Sequence, residues 1–314
     1  MTGQGRGERV EVRQVEMFLR ICEHGSINKA AAELRMSQPS LSRWIALLER
    51  DLGTQLFVRT RQGIRLTDAG QVLADRARPV LRQFELLRDD VGNKSLRQVN
   101  LAIPLSMQRL LTAPFADRVL SRSPELRMRV YEGINNSIRV WMENGLLDTA
   151  VIVETERVPE NFTSRPLLRE NLMLVGDHAA GLSLDAPVPL SKLDDLPIIL
   201  PGPPNSISAQ VAHALARAGY SYNNVFEAEI LSLCLELAGR GRGYTVMPYC
   251  ALEGRLGPDA ALTAAPIEGL NVVWKLCINK SRAYAVANRS LVDELTEFIA
   301  TQVENGAWTF TELL

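Results

Sequence analysis

A chain of 314 residues is long for one hydrophobic core, so at least two folded units are expected. Its 46% hydrophobic and 23% charged residues are ordinary for a globular protein, and no run approaches the ~18 apolar residues that a membrane-crossing helix needs. The formal net charge of -1 hides an asymmetry: residues 1–65 hold 11 Lys/Arg against 7 Asp/Glu, and residues 93–314 hold 20 against 24. A basic head on a mildly acidic body suits a nucleic-acid-binding module joined to a ligand-binding one.

Cys22, Cys234, Cys250 and Cys277 form no C-x-x-C pair and have no histidine at metal-ligand spacing. They read as reduced core thiols, and neither metal nor cofactor is expected. The opening MTGQGRGERV has no apolar run, which predicts no secretory signal and a cytoplasmic location.

The head is organised by residues 15–66. A first helix is predicted from about Val12 to Glu23, with Val15, Phe18, Leu19 and Cys22 inward. Gly25 ends it, and Ser26 caps a second helix over Ile27–Leu34, whose Ala30-Ala31-Ala32 allows close helix approach. Ser37 caps a third helix reaching about Glu49, with Pro39 in its first turn and Leu41, Ile45 and Leu48 on its inner stripe. Its outer face begins with Gln38, Ser40, Ser42 and Arg43. Glutamine pairs in bidentate fashion with adenine, serine takes a base edge or phosphate, and arginine takes guanine or phosphate.

The segment LFVRTRQGIRLT then reads as a hairpin, with strands at Leu56–Val58 and Ile64–Leu66 and a turn around Gln62-Gly63. Arg59, Arg61 and Arg65 stand in it with no acidic residue between them, placed to meet phosphates. Three helices followed by a basic hairpin have the layout of a DNA-reading winged helix-turn-helix. A plain three-helix cap with a solvated face leaves that hairpin unexplained.

This stretch resembles the N-terminal domain of the LysR-type transcriptional regulators. The resemblance is carried by Phe18, Gly25-Ser26, Ala30-Ala31, Leu34, Ser37-Gln38-Pro39, Ser42, Leu48-Glu49, Leu52-Gly53, Leu56-Phe57, Arg59, Leu66-Thr67 and Gly70. It implies that Gln38, Pro39, Ser42 and Arg43 face the major groove and that Ser26 and Arg59 hold the DNA backbone. With Ser37, Arg61 and Arg65 these complete the candidate DNA-binding set. Trp44 departs from the polar residue common there, and its place is open between packing on the wing or dimer helix and touching DNA.

From Asp68 to about Asp90 a helix is predicted with Leu73, Ala77, Val80, Leu81, Phe84, Leu87 and Val91 along one side. Pro79 inside it predicts a kink, or a break at Arg78. An apolar stripe on a charged helix needs a partner, and a second copy is the simplest. The resemblance implies the same: a linker helix that pairs two subunits into a homodimer, with two dimers joined through their sensing domains into a homotetramer.

Beyond the hinge at Gly92–Ser95, strand and helix signals alternate: LRQVNLAI, a helix near Gln108–Ser121, LRMRVYEG, SIRVWMENG, then Leu147–Val153. A second unit follows with LRENLMLVG, PIILPG, SAQVAHALARAG, VFEAEI, LSLCLELAGRG, YTVMP and VVWKLCIN, closed by a helix burying Leu291, Leu295, Phe298 and Ile299. This is an α/β pattern. YEG, GLLD and GRGYTVMP extend the family resemblance over the body and imply a C-terminal two-lobed, periplasmic-binding-protein-like effector domain. The expected domains are 1–66 (winged helix-turn-helix), 67–92 (linker helix) and 93–314, the last with lobes near 96–168 plus 271–314 and 169–270.

Ligands of such sheets bind outside the carboxyl ends of the strands. Ser106, Asn135, Asn136, Ser206 and Tyr244 stand at those ends and are the candidate effector residues, with an anionic small molecule expected. Each also suits simple helix capping. No GxSxG elbow or metal-binding histidine pair supports an enzyme, and Gly239–Gly243 lacks the ending of a phosphate loop. The sequence therefore predicts a regulator that binds double-stranded DNA, senses an effector and contacts RNA polymerase, without a membrane partner. A DNA-binding architectural protein that senses nothing, and a cytoplasmic solute-binding protein, stay as alternatives.

Overall fold

The computed structural model describes residues 11–60, 63–91, 98–194, 196–257 and 259–314. The chain divides into two units, residues 1–95 with 143–146, and residues 96–142 with 147–314.

In the first unit, α1 (Val12–His24) begins where the Glu11 backbone N–H donates to Gln14 Oε1 at 2.8 Å. It ends at Gly25, whose φ of 59° suits a residue without Cβ. Met17, Phe18, Leu19 and Ile21 are its buried apolar residues. Val15 and Cys22, expected inward, sit half-buried at the margin, because Met17 and Ile21, one turn apart, take the centre of the face. Ser26 caps α2 (Ile27–Glu33) by accepting the Lys29 N–H, and Ala30 and Ala31 are buried. Ser37 caps α3 (Gln38–Leu52) by accepting the Ser40 N–H at 3.3 Å, and Leu41, Ile45 and Leu48 form its buried stripe.

The hairpin follows as β1 (Phe57–Thr60) and β2 (Gly63–Leu66), with Phe57 opposite Leu66 and Arg59 opposite Ile64. Its connection, with Arg61 and Gln62, lies outside the described residues. Glu49 fixes the entry to the hairpin, accepting the Leu56 and Phe57 N–H groups at 2.8 and 3.2 Å. Thr67 fixes the exit: it donates to the Gln55 carbonyl at 2.6 Å and accepts from Gly70 N–H at 3.0 Å. A Cβ at Gly70 would lie 2.2 Å from the Leu56 carbonyl oxygen, so only glycine permits that approach.

Helix α4 (Asp68–Val91) is one continuous helix of 24 residues, without the break that Pro79 suggested at Arg78. A single proline removes one N–H from the ladder while the turns on either side keep theirs. Ala74 and Ala77 pack into the core of this unit; Val72 and Val80 remain 62% and 64% exposed.

In the second unit, β3 (Gln98–Pro104) lies between β4 (Arg127–Gly133) and β5 (Thr149–Val153), all parallel. Helices α5 (Ala113–Arg122) and α6 (Asn135–Glu143) connect them. A short 3-10 turn and a π-helical turn, Leu105–Thr112, precede α5 where the sequence suggests only a loop and an α-helix. The long strand β6 (Phe162–Asp177) starts six residues before the strand read from LRENLMLVG. Next come β7 (Pro197–Leu200), α7 (Ser206–Ala218), β8 (Asn223–Glu227), α8 (Leu231–Gly239) and β9 (Thr245–Pro248). The long β10 (Leu262–Asn279), α9 (Val286–Glu304) and a short β11 (Thr311–Leu313) complete the chain.

Strands β6 and β10 pair antiparallel along most of their length, with a register break between Pro266 and Asn271. On one side of that break β10 pairs with β5; on the other β6 pairs with β9. The two strands thus carry the chain between two α/β lobes. In the first lobe α9 buries Leu291, Leu295, Phe298 and Ile299, and Phe298 meets Phe115 at 5.7 Å between ring centroids. Each such side chain contributes about 1.5–3 kcal/mol through burial.

Candidate nucleic-acid interface and effector cavity

On the first unit, Ser37, Gln38, Pro39 and Arg43 are exposed at the start of α3, and Ser42 is half-buried. The Ser37 and Ser40 hydroxyls are 2.7 Å apart, and Gln38 Nε2 donates to Ser42 Oγ at 2.9 Å. These bonds hold the outer face of the helix in one arrangement before any partner arrives. Ser26 is half-buried, and its hydroxyl is occupied as the α2 cap through an exposed bond from Lys29 N–H. Arg65 is exposed on β2; Arg59 lies in β1, and Arg61 falls outside the described residues. Among the described residues no carboxylate lies within 4 Å of Arg43 or Arg65, whereas Arg20 is paired with Glu23 at 3.0 Å and with Glu33 at 3.6 Å. Trp44 is half-buried and packs on the core of this unit.

On the second unit, a cavity of about 640 Å³, counting its open mouth, lies at the carboxyl ends of the parallel strands. Pro104, Leu105 and Ser106 follow β3; Gly133, Ile134 and Asn135 join β4 to α6; Pro201, Asn205 and Ile207 join β7 to α7. Glu229, Leu231, Val246, Met247, Pro248 and Trp274 complete the lining. The mix of apolar wall with a few polar groups fits a small-molecule site.

Of the five candidate residues, the structure brings Ser106 and Asn135 to this lining and leaves the other three out of it. Asn135 Oδ1 accepts the Val153 N–H at 3.1 Å, which leaves its amide N–H₂ as donor. Asn136 is engaged by its own helix, accepting from Arg139 at 2.7 Å. Ser206 is buried and donates to Glu156. Tyr244 joins strands: its N–H donates to Pro197 O, and its carbonyl accepts from Ile199 N–H, both at 2.7 Å. Asn205, which sequence reasoning passed over, caps α7 by accepting from Ile207 and Ser208 N–H, at 3.0 and 3.1 Å. No lysine or arginine stands in the lining, so the expected anionic effector meets no side-chain cation there.

Behind the wall sits Glu170, fully buried. It accepts the Cys250 backbone N–H at 2.6 Å, Trp274 Nε1 at 2.8 Å and Trp308 Nε1 at 3.0 Å. Burial pushes its carboxyl pKa upward, and the three donors oppose that rise. The Cys250 thiol is driven well up by burial and the neighbouring Glu170 carboxylate. Cys277 is likewise pushed up to about 12 by burial, and all four cysteines are free. These are protonated packing thiols rather than nucleophiles.

Comparison with known proteins assigns a family to both units. Residues 12–71 match the model for bacterial regulatory helix-turn-helix proteins of the lysR family, and residues 93–300 match the LysR substrate binding domain. The chain belongs to the LysR family of transcriptional regulators. It is a sequence-specific DNA-binding regulator and not an enzyme. The HTH-type transcriptional regulator BbuR of Bordetella bronchiseptica is 30% identical to it over 307 residues, covering 94% of this chain and 91% of that protein. The nitrogen assimilation regulatory protein nac of Klebsiella aerogenes is 30% identical over 253 residues, or 79% of this chain and 81% of nac. Among solved structures, CbnR, a LysR family transcriptional regulator, shares the fold with a TM-score of 0.68 at 18% identity, covering 92% of this chain and 99% of that one.

In this LysR-type regulator, no helix among the described residues is long and apolar enough to cross a membrane. Among the same residues no group of three or more His, Cys, Asp or Glu is placed to hold a metal ion.

Proposed function

We propose that this regulator works as a homodimer or a pair of dimers on a pseudopalindromic site, under control of a small molecule bound in the cavity of its second unit. Residues 1–66 read DNA, 67–92 pair the subunits, and 93–314 sense the effector. Gln38, Pro39, Ser42 and Arg43 read base edges from α3, while Ser26, Ser37, Arg59, Arg61 and Arg65 hold phosphates. The exposed Val72, Val80 and Phe84 on α4 support pairing through that helix, since apolar side chains at these positions gain by being covered. Val225, Phe226 and Ile230, exposed around the edge strand β8, support a second contact that joins dimers.

The observation that carries the sensing role is the cavity at the carboxyl ends of β3, β4 and β7, with Ser106, Asn135 and Asn205 in a largely apolar wall. A compound that binds there more tightly in one lobe arrangement shifts the population of the regulator and so its grip on one half-site or its contact with RNA polymerase.

The test is a thermal-shift screen of small metabolites, followed by DNA footprinting with each stabilising compound. Ser106→Trp, which fills the cavity, should abolish both the shift and the footprint change while DNA binding persists. A full response from Ser106→Trp would contradict the cavity as the sensing site.

A further inference from the structure

The chemistry of the cavity wall narrows the kind of effector it accepts. Leu105, Ile134, Ile207, Val246, Met247 and Trp274 give it an apolar body. Its one ionisable side chain is Glu229, immediately before α8. Among the described residues no Lys or Arg nitrogen lies within 4 Å of this carboxylate, and it accepts no hydrogen bond.

A second carboxylate reinforces the first. A Cβ built at Gly202, beside Pro201 of the lining, would lie 2.9 Å from Glu227 Oε2 and 3.4 Å from Glu229 Oε1. The two carboxylates therefore lean onto one point at the edge of the cavity, and only the absence of a side chain at Gly202 makes room for them. Glu227 Oε1 accepts from Asn224 at 3.0 Å, a neutral donor that leaves its charge uncompensated. Two like charges converging on one point are relieved by a cation between or beside them.

Two other polar groups of the lining are donors. Asn135 and Asn205 each spend their amide oxygen on backbone N–H groups, which fixes the N–H₂ as the free end. The wall thus offers amide donors, one carboxylate and apolar surface.

We propose that Glu229 sets the specificity of the cavity for effectors that carry a cationic amine on a compact apolar body, with the class of apolar α-amino acids as the best fit. The ammonium faces Glu229, backed by Glu227, and the ligand's carboxylate faces Asn135 and Asn205. This rests on the cavity being the sensing site. A simple carboxylate of the same shape leaves Glu229 unpaired and meets its charge, so it is disfavoured.

The experiment is calorimetric titration of the full chain with two matched sets: leucine, 3-methylbutylamine and 4-methylpentanoate, then phenylalanine, phenethylamine and 3-phenylpropanoate. The amino acid should bind most tightly in at least one set, and the amine-free acid up to about fivefold more weakly, the worth of one exposed charge pair. Glu229→Gln, a change at an exposed position that does not threaten folding, should erase that preference. Cavity-filled Ser106→Trp should bind none of the six. If the acids bind as well as the amino acids, or Glu229→Gln leaves the ranking intact, the role of Glu229 is overturned while the cavity stands, provided Ser106→Trp abolishes binding. Binding that survives Ser106→Trp overturns the cavity itself. The absence of binding by every amine-bearing probe also overturns the proposed class.

Discussion

At the start of α3, Ser37, Ser40, Gln38 and Ser42 are tied only to one another, by exposed bonds of 2.7 and 2.9 Å within one or two turns. In the second unit, Glu170 is 0% exposed and holds three donors from segments 80, 104 and 138 residues away. The contrast teaches how one chain separates reading from framing. An exposed local bond is exchanged for a bond to DNA at little net cost, since water already competes for both partners. A buried, fully used carboxylate has no such freedom, and its value lies in fixing Trp274, and thereby one wall of the cavity, relative to Trp308 and Cys250.

Breaking the frame should have the largest effect. Glu170→Ala orphans two indole N–H groups and one backbone N–H, and should cost about 3–5 kcal/mol of stability in denaturant titrations followed by tryptophan fluorescence. A loss below about 1 kcal/mol would show that water replaces the carboxylate and that the frame is soft. The same residue predicts a pH dependence. Because burial raises its folded pKa above the unfolded value, the stability it contributes is full below its ordinary range and falls as pH rises through the raised value. Glu170→Gln should flatten that fall, and an unchanged profile would assign the titration elsewhere.

Changes on the reading face, the capping Ser37 apart, should spare stability and act on DNA. Gln38→Ala should cost about 1–3 kcal/mol at the cognate site and much less on unrelated DNA, in parallel binding isotherms. Equal losses on both would remove it from base recognition. Ser37→Ala should lower stability by about 1 kcal/mol through loss of the cap, a modest shift in thermal midpoint. Arg65→Ala should have the smallest effect, weakening all sequences alike and reducing the slope of log affinity against log salt by about one. A loss confined to one sequence would give Arg65 a base contact instead.

The same contrast explains what was legible in the sequence. Helix starts, caps and the stripe Leu41, Ile45, Leu48 depend on residues three or four apart, and the sequence displays those directly. The strand end Pro104–Ser106 and, of the expected Asn135–Ser137, the residue Asn135 line the cavity, because a parallel α/β sheet dictates where its loops gather. Asn136, Ser206 and Tyr244 stood at equally suitable ends, but each is engaged by a nearby partner that sequence spacing does not reveal. Glu170 looked like one more charge in a strand, since its donors come from far along the chain. Had its alternation been followed, a glutamate between the buried Leu168 and Leu172 would have marked it as an inward-facing carboxylate in need of partners. Pro79 does not break α4: its local cost is real, and the surrounding turns outweigh it.

The central claim is that the exposed face of α3 and the wing recognise particular DNA under this chain's own specificity. Its most direct test is selection of bound fragments from the host's genomic DNA with the full chain, followed by nuclease footprinting of the most enriched one. The account predicts a discrete protected site containing two related half-sites, lost in Gln38→Ala at concentrations where the unaltered chain still protects. Uniform enrichment of all fragments, with no protected site even at low salt, would contradict it.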